Sequence, residues 1–583
     1  MAYIASNTSR YLKCQSQATV RWLFRFIALL SLLLVGLPAQ AVDYTFSEQF
    51  ECLETGTNSP WSATARKPLY TKLAGTPFAF DVVALNANGT IDTRFFTKGG
   101  TAVTVELVGG SGTTSCASRT AISPAVSQIM NFDKQDDAGR KTSAPMTVAK
   151  AYANLRCRVT YDKKSPSVVA CSTDNFAVRP QGFAVSSSNA NADGTGASTT
   201  ASPTIKAGVS FSLSADTATV GYNGTPVLDT SKVAAHSGAI TNGVLSGAFG
   251  SADAATGIAT GSSFAYSEVG YFRLGVVSLT DSSFTAVDQP NDCTNDAPND
   301  FSNTLIGGKY GCKFGNAAAT SYFGRFIPDH FTTVLTQACV AGGFTYSGHP
   351  FTVKATALTL GGGTTLNYSG APWAKAVTLS EIVAISGTLT NGTVTASEFL
   401  SGVATHATTT HSFATLKTVP AASFLRATDT DSVSSNGFAE GTLVLRSGLL
   451  QLGSAYGSEL LRLVMPLESQ YWKEGGNAAI TTDDFWTTNT ADSCTVIPGA
   501  GITLSNYRGN LAAGETVVTI GGTFAAGRGS LSLSAPGANN NGSVDVTINN
   551  ATAGVPWFGN VNEVARGTFG LRKTPIIYMR ENF

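Results

Sequence analysis

The chain has 583 residues, of which 43% are hydrophobic and only 13% are charged, and its formal net charge is zero. This length is too great for one hydrophobic core and predicts about three to five domains. High hydrophobicity with low charge excludes a disordered chain, and the charge balance excludes the basic footprint of a protein that binds DNA or RNA.

Residues 1–41 have the pattern of a secretory signal peptide. Arg21 and Arg25 precede a largely apolar run at 26–37, and residues 39–41 (AQA) form a small-residue cleavage site. The apolar run is shorter than the roughly 20 residues that cross a bilayer, so we expect no transmembrane span in the mature chain. We therefore expect an exported protein, located in the periplasm, on the outer-membrane surface or outside the cell.

From residue 42 onward the sequence reads as strands separated by short turns. The segments 78–85 and 101–107 alternate apolar and polar residues, and each is followed by glycine or asparagine. A Gly-x-x-Phe entry into such a strand occurs at Gly75, Gly208 and Gly348, at domain-sized spacing. These patterns predict an all-β fold of three or four tandem immunoglobulin-like β-sandwich modules in series.

Two similar segments predict the module boundaries. Residues 174–183 and 324–331 each place a proline between two strands that carry aromatic residues. Proline stiffens a connection and cannot donate to a β-ladder, which suits a short link between sandwiches. The predicted domains are a signal peptide at 1–41, β-sandwiches at 42–180, 181–328 and 329–440, and a C-terminal β-domain at 441–583.

The densest apolar run of the mature chain lies at 449–472. Its second half alternates with a period of two, which predicts a half-buried strand. A helical spacing also fits, but Pro466 counts against it because a proline inside a helix costs about 3 kcal/mol, whereas a strand edge or bulge accepts one.

Motifs for catalysis are missing from the sequence. There is no His-Glu-x-x-His, Gly-x-Ser-x-Gly, Walker lysine loop or Gly-x-Gly-x-x-Gly. His406 and His411, five residues apart on a predicted strand, should point to opposite faces and so should not share a metal ion. The acidic stretch at 291–300 offers calcium ligands without the spacing of a calcium-binding loop, which favours a solvated loop. We predict no enzymatic activity, no cofactor and no metal site.

Eight cysteines remain after removal of the leader, and an even number in an exported chain predicts disulfides. Folding the probable hairpin at 156–171 about Lys164 places Cys157 directly opposite Cys171, within the range of a disulfide. The acidic loop should be closed by a bond between its two flanking cysteines. The predicted pairs are Cys157–Cys171, Cys293–Cys312, Cys52–Cys116 and Cys339–Cys494.

Four tryptophans of the C-terminal region are candidate ligand contacts. Exposed aromatic rings on a β-sandwich can bind sugar rings, but sandwich cores also contain tryptophan, and core packing is the simpler interpretation for most of them. The candidates are Trp373, Trp472, Trp486 and Trp557.

Many short motifs of this chain occur in the expected order of a known family. In the C-terminal region they are GSAYGSELL (453–461), MPLESQYW (465–472), NTADSCT (489–495), NLAAGE (510–515), LSAPG (533–537), GSVDVT (542–547), PW (556–557) and ARGTFG (565–570). Upstream they are CRVTY (157–161), DNFAVRP (174–180), GRFIPDHF (324–331), FTYSG (344–348) and NYSG (367–370). In these motifs the chain resembles MSHA-type (mannose-sensitive haemagglutinin) pilus biogenesis proteins of the MshQ kind, including their C-terminal domain of unknown function.

The resemblance implies a bacterial envelope or surface protein associated with a type IV pilus, and it implies no catalytic residue. We therefore expect a structural or adhesive role in pilus biogenesis or surface attachment, with pilus or other envelope proteins as partners. A carbohydrate-binding module that contacts surface glycans is the first alternative, and a secreted hydrolase is the second.

Overall fold

A computed structural model describes residues 47–96, 101–133, 137–476 and 484–570. Within these ranges the secondary structure consists of β-strands and short 3-10 helices, and none of the helices found there is long and apolar enough to cross a membrane. The predicted signal peptide lies outside the described residues. The chain divides into two compact units, Met1–Arg179 with Phe284–Cys312 and Pro180–Ser283 with Lys313–Phe583.

Nine strands form the first sandwich. One sheet has the order β1-β3-β6 and the other β2-β9-β7-β4-β5, with β8 paired to β7. Both sheets contribute to one apolar core, in which Phe80 and Phe176 pack edge to face. The strands are β1 Gln49–Glu54, β2 Lys72–Leu73, β3 Phe80–Leu85, β4 Thr101–Gly109, β5 Ser127–Phe132, β6 Arg140–Thr142, β7 Tyr152–Tyr161, β8 Val168–Cys171 and β9 Phe176–Arg179.

Residues 284–312 belong to the same compact unit as the first sandwich. Arg179, at the end of β9, is fully buried, and its guanidinium donates to the carbonyl oxygens of Gly311 at 2.8 Å and Ser302 at 2.9 Å and to Asn303 Oδ1 at 2.9 Å. Burial lowers the pKa of this guanidinium to about 10. A buried cation is stable only when its donors are satisfied, so Arg179 ties these residues to the first sandwich.

Carboxylates of the same segment make the other polar contacts. Arg66 pairs with both Asp174 and Asp292, and Thr71 Oγ1 donates to Asp288 Oδ1 at 2.6 Å. Burial raises the pKa of Asp288 to about 6. The acidic stretch is therefore partly withdrawn from water and paired with the first sandwich, and the prediction of a solvated loop is wrong for Asp292, which is fully buried.

The second sandwich contains eleven strands, in sheets of order β10-β12-β16-β15 and β11-β20-β17-β14 and a smaller sheet β13-β18-β19. Phe211, Tyr266, Phe272 and Phe326 pack against one another between the two larger sheets. The strands are β10 Ala184–Ser186, β11 Ile205–Lys206, β12 Phe211–Asp216, β13 Val227–Leu228, β14 Val233–Ala235, β15 Leu245–Ser246, β16 Ile258–Tyr266, β17 Gly270–Leu274, β18 Leu279–Asp281, β19 Phe314–Gly315 and β20 Phe323–Ile327.

The third sandwich consists of two five-stranded sheets, β21-β23-β28-β25 with β27 on β28, and β22-β30-β29-β24-β26. The strands are β21 His330–Thr336, β22 Thr345–Tyr346, β23 Phe351–Leu358, β24 Val377–Glu381, β25 Thr388–Thr390, β26 Thr393–Val394, β27 Phe399–Leu400, β28 Val403–Ser412, β29 Ala421–Asp429 and β30 Thr442–Arg446. The division predicted near residue 440 is too early, because β30 pairs with β29 and β22 and so completes this sandwich.

The fourth sandwich pairs a sheet of order β31-β33-β37-β36, with β34 on β33, against a sheet of order β32-β39-β38-β35. The strand predicted within 449–472 is confirmed as β33, whose Leu463, Met465 and Leu467 are buried while Val464 is exposed. The strands are β31 Gly448–Leu452, β32 Ala455–Gly457, β33 Leu463–Lys473, β34 Phe485–Thr488, β35 Ile502–Gly509, β36 Val518–Ile520, β37 Arg528–Leu533, β38 Gly542–Asn549 and β39 Asn562–Phe569.

These sheets confirm the predicted fold class of tandem β-sandwich modules, of which the described residues contain four. The alternation of buried and exposed residues along strands such as β4, β12 and β23 follows the alternation in the sequence. Burial of one face of each sheet against its partner sheet supplies the hydrophobic stabilisation.

The second and third sandwiches share a junction of buried polar groups. The guanidinium of Arg325 on β20 forms two parallel hydrogen bonds with the carboxylate of Asp431, at 2.7 and 2.9 Å. Glu268 is buried and accepts from the backbone N–H groups of Leu366 at 3.1 Å and Asn367 at 2.9 Å. The side chain of Asn367 in turn bonds the backbone at 240–241.

The third and fourth sandwiches are joined through a common core. Phe344, just before β22, and Tyr346, on β22, pack in the apolar cluster of the fourth sandwich. The guanidinium of Arg446 at the end of β30 lies 4.8 Å from the ring centroid of Phe344 and 4.7 Å from that of Tyr471, and its Nη1 donates to Asn489 Oδ1 at 2.5 Å. Cation–π contacts and this hydrogen bond thus hold Arg446 between the third and fourth sandwiches.

The first sandwich contains two disulfides whose pairing differs from the prediction. Cys52 bonds Cys157 with Cα atoms 6.2 Å apart, and Cys116 bonds Cys171 with Cα atoms 5.6 Å apart. The predicted pairs Cys157–Cys171 and Cys52–Cys116 are therefore wrong. The observed Cys52–Cys157 bond links β1 to β7, and so links the two sheets of this sandwich.

A one-residue difference in the β7–β8 register explains the error. Arg158, and not Cys157, lies opposite Cys171. Because successive side chains of a strand point to opposite faces, this offset turns Cys157 into the core, where Cys52 meets it, and leaves Cys171 on the other face. The length of the turn decides the register, and the sequence contains no signal that fixes it.

The two remaining disulfides are the predicted ones. Cys293 bonds Cys312 within the 284–312 segment. Cys339 bonds Cys494 across 155 residues of sequence and ties the third sandwich to the fourth. The C-terminal region is thus covalently one unit, as the sequence prediction had it.

Candidate functional site

The four candidate tryptophans divide into two pairs according to their surroundings, and the first pair lies at the junctions between sandwiches. Trp373 packs on the His236 ring with centroids 3.8 Å apart, and Trp557 stacks on His349 with centroids 3.6 Å apart and planes inclined by only 9°. In each case the tryptophan belongs to the sandwich that follows and the histidine to the one before. We therefore interpret both rings as packing residues.

The second pair, Trp472 and Trp486, lies on the outer face of the fourth sandwich. The two residues are directly opposite each other in the β33–β34 pair, and their rings meet edge to face with centroids 5.4 Å apart. Trp472 shares the strand face of Val464, which is 48% exposed, and not that of the buried Met465. Both indoles are half-buried and line the same surface.

Polar side chains surround this tryptophan pair, and together they form what we call the hairpin face. Glu468 accepts from Thr488 Oγ1 at 3.0 Å and lies 3.4 Å from the guanidinium of Arg528. The ammonium of Lys417 lies 5.1 Å from the ring centroid of Trp472. The hairpin face consists of Lys417, Gln451, Glu468, Gln470, Trp472, Trp486, Thr488 and Arg528.

The chemistry of the hairpin face is that of a binding surface. Indole rings offer an apolar platform, while fixed carboxylate, amide, guanidinium and hydroxyl groups offer hydrogen bonds around it. The residues contain no pair of carboxylates arranged around a cleft. Such a face can hold a flat amphipathic ligand.

Four of the five histidines are buried. His236, His330, His406 and His411 are at most 8% exposed, and His349 is half-buried. Between the pairs Phe351–Thr409 and Val353–His406, β28 contains one residue more than β23, and this β-bulge lets both histidines of β28 point inward, contrary to the prediction of opposite faces.

His406 lies between a carboxylate and a hydroxyl. Its Nδ1 is 2.7 Å from Glu398 Oε1, and its Nε2 is 3.1 Å from Thr408 Oγ1 and 2.9 Å from the carbonyl oxygen of Asn391. A carbonyl oxygen only accepts, so Nε2 must carry the proton and cannot take one from Thr408. This arrangement anchors the strand and does not supply a general base.

Two groups of potential metal ligands occur among the described residues, Asp288 with Cys293 and Cys312, and Asp492 with Cys339 and Cys494. Both cysteines of each group are joined in a disulfide, which leaves no thiolate for a metal. Asp492 instead accepts from Tyr346 Oη at 3.0 Å. The carboxylate of Asp484, next to the tryptophan pair in sequence, accepts from the backbone N–H of Gly475 at 2.8 Å.

Sequence reasoning missed the arginines that hold the junctions. Arg179, Arg325 and Arg446 each lie on the last strand of a sandwich, in the apolar contexts FAVR, GRFI and LVLR. A charged residue within an otherwise apolar strand is the available signal, since a fully buried arginine needs partners from another element.

Comparison with known families identifies two matching segments. A family model described as DUF6701, third domain, matches residues 310–438, and one described as DUF6701, fourth domain, matches residues 446–582. The first segment includes β19 and β20 of the second sandwich and β21–β29 of the third, and the second segment includes all strands of the fourth sandwich. No curated protein matches the chain.

Solved structures of low similarity also align with the chain. The adhesin InvE of Yersinia pseudotuberculosis is 15% identical over 41% of this chain and 59% of its own, less than two thirds of its length, with a TM-score of 0.16. A tetra-tandem repeat from the extending region of a large adhesion protein is 11% identical over 85% of this chain and 96% of its own, with a TM-score of 0.27. The I9–I11 tandem of titin is 8% identical over 62% and 93%, with a TM-score of 0.19. Superpositions with such low scores carry no argument about function.

Because His349 stacks on Trp557, we expect the stability of the junction between the third and fourth sandwiches to depend on pH. Burial lowers the pKa of His349 from 6.5 to about 4. Because this pKa is depressed in the folded state, its contribution to stability is complete above pH 6.5 and is lost as the pH falls through 4. We expect a loss of about 1 to 2 kcal/mol after allowance for the exposed part of the ring.

Urea unfolding followed by tryptophan fluorescence, at a series of pH values, measures this loss. The matched variant is His349→Phe, which keeps a ring against Trp557 but does not titrate. The difference in unfolding free energy between wild type and variant should change between pH 6.5 and 4. Parallel pH profiles for the two proteins would show that His349 stays exposed to water.

Proposed function

We propose that this protein is an exported cell-surface or envelope protein with a structural or adhesive role in type IV (MSHA-type) pilus biogenesis or surface attachment. The observation that carries the proposal is how the last three sandwiches are joined: buried hydrogen bonds and a shared core connect the second to the third, and a shared core and a disulfide connect the third to the fourth. Junctions of this kind resist bending, and stiffness across modules suits a protein that bears tension or presents a binding surface.

The disulfides support an extracytoplasmic location. Four bonds join all eight cysteines of the described residues, and such bonds persist in oxidising compartments such as the periplasm and the cell surface. This agrees with the export signal predicted at residues 1–41. Pilus or other envelope proteins are the partners that we propose.

The pilus assignment rests on the resemblance of short motifs. Several of these motifs coincide with junction elements: GRFIPDHF contains Arg325, FTYSG contains Phe344 and Tyr346, and NTADSCT contains Cys494. The residues that carry the resemblance are thus residues that fix one sandwich to the next. We infer that the family shares these junctions.

Deletion of the gene, followed by counts of assembled pili and of attached cells, tests the proposal. We expect fewer pili or weaker attachment, with recovery on expression of the wild-type protein. A variant with Cys339→Ser and Cys494→Ser should restore less than the wild type, because the third and fourth sandwiches then lack their covalent link. Unchanged piliation and attachment after deletion would contradict the proposed role.

Carbohydrate binding is a second candidate function, and the hairpin face favours it. The edge-to-face pair Trp472–Trp486, framed by Glu468 and Arg528, provides the combination of aromatic platform and fixed polar groups that sugar rings require. Surface glycans would then be the partners of the fourth sandwich.

A glycan array probed with wild type and Trp486→Ala tests this candidate. Binding should fall by about tenfold or more in the variant, because the loss of one stacked ring removes on the order of 1 to 2 kcal/mol. Phe485→Ala is the matched control, since Phe485 is the exposed neighbour on the opposite strand face. The hairpin face would be excluded as a glycan site if both variants lost glycan binding equally, or if the wild type bound no glycan on the array.

A further inference from the structure

One sheet of the first sandwich is covered on both sides. All six residues of β3 are buried. Phe80, Val82 and Ala84 face the main core, whereas Val83 and Leu85 form a separate apolar cluster with Leu53, against which Trp61 and Ile91 pack. The segments that follow β1 and β3 therefore form a third layer over the outer face of the β1-β3-β6 sheet.

A groove of about 490 Å³ opens between this third layer and the sheet. Trp61 and Ile91 line it on the apolar side, and Asp81, Asp137, Arg140 and Thr142 on the polar side. We call it the Trp61 groove. Its volume is within the range of small-molecule sites in proteins, which is about 300 to 1,000 Å³.

The polar side of the groove is held in position by its own hydrogen bonds. Arg140 donates from Nε and Nη2 to Asp81 Oδ2 at 3.0 and 2.6 Å and from Nη1 to the Asn58 carbonyl at 3.0 Å. Thr142 Oγ1 donates to Asp81 Oδ1 at 2.6 Å. Since these groups are fixed before any ligand arrives, a ligand that bonds them costs little ordering entropy.

The indole is fixed as well. Trp61 Nε1 donates to the carbonyl oxygen of Gly89 at 3.3 Å, and the ammonium of Lys67 lies 5.3 Å from the indole ring centroid. Trp61 is half-buried, so the ring contributes both to the apolar cluster beneath it and to the wall of the groove. The site therefore has one rigid apolar wall and one rigid polar wall.

From this geometry we propose that the Trp61 groove binds a neutral pyranose sugar, as a single ring or the terminal residue of a glycan. The apolar C–H face of a pyranose fits an indole, and its hydroxyl groups can donate to the Asp81 carboxylate and to Thr142 Oγ1 and accept from Arg140 Nη1. Both carboxylates of the lining are already paired with cations, Asp81 with Arg140 and Asp137 with Lys141, so neither is left to attract a charged ligand, which favours a neutral one. The inference concerns the first sandwich alone and does not depend on the pilus role.

The test uses the mature full chain labelled with ¹⁵N at its indole nitrogens. Five tryptophans follow the predicted leader, so each indole N–H gives a separate signal, and Trp61→Phe assigns that of Trp61. Titration with glucose, galactose, mannose and N-acetylglucosamine at millimolar concentrations should shift the Trp61 signal with at least one sugar. The signals of Trp373 and Trp557 should not move.

Variants separate binding from folding. Trp61→Ala should weaken the sugar's affinity by about tenfold, and Trp61→Phe by less, since phenylalanine keeps a smaller platform. Thr142→Val should also weaken it, and Trp486→Ala should leave the affinity at this groove unchanged. Shifts confined to Trp472 and Trp486 would overturn the proposal in favour of the hairpin face. The proposal would also be overturned if none of the four sugars shifted the Trp61 signal, or if only peptides or charged sugars shifted it.

Discussion

The structure depends on arginines that are withdrawn from water at the ends of sandwiches. Arg179 and Arg325 are 0% and 5% exposed, and Arg446 lies between two aromatic rings. Removal of a guanidinium from water is costly unless it gains new partners, and the partners here come from a different segment each time. Each arginine therefore meets these partners in only one arrangement of its neighbours, which gives the contacts specificity as well as stability.

Apolar side chains are also buried across the junctions that contain Arg325 and Arg446. Val269 and Ile327 of the second sandwich pack in the core of the third sandwich. Phe344 and Tyr346 of the third sandwich pack in the core of the fourth. Cores that cross a junction make adjacent modules one cooperative unit, unlike the small polar interfaces that allow domain motion. This is why Pro180–Ser283 and Lys313–Phe583 form one compact unit although they contain three sandwiches.

Period-two alternation was enough to predict the fold class, because one face of nearly every strand is buried. The sequence could not predict register: the offset of one residue that separates Cys157 from Cys171 depends on the turn, and the bulge beside β28 reverses the direction of His411. It also could not predict which tryptophans are exposed. The sequence does not distinguish Trp61 either, because its apolar neighbours Leu53 and Val83 belong to different strands and meet only in the folded sheet.

The central claim is that the second and third sandwiches are held together by Arg325 and its neighbours. Hydrogen-exchange mass spectrometry of wild type and Arg325→Gln tests this directly, because backbone amides of the junction take part in its hydrogen bonds. The amide of Asn367 donates to Glu268, and the side chain of Asn367 accepts from the amides of residues 240 and 241. In the wild type we expect peptides 238–243 and 364–369 to be as protected from exchange as the β-strands. In the variant these two peptides should exchange faster, while the sandwich cores stay protected. Junction peptides that exchange in wild type as fast as the exposed turn at 162–167 would contradict it.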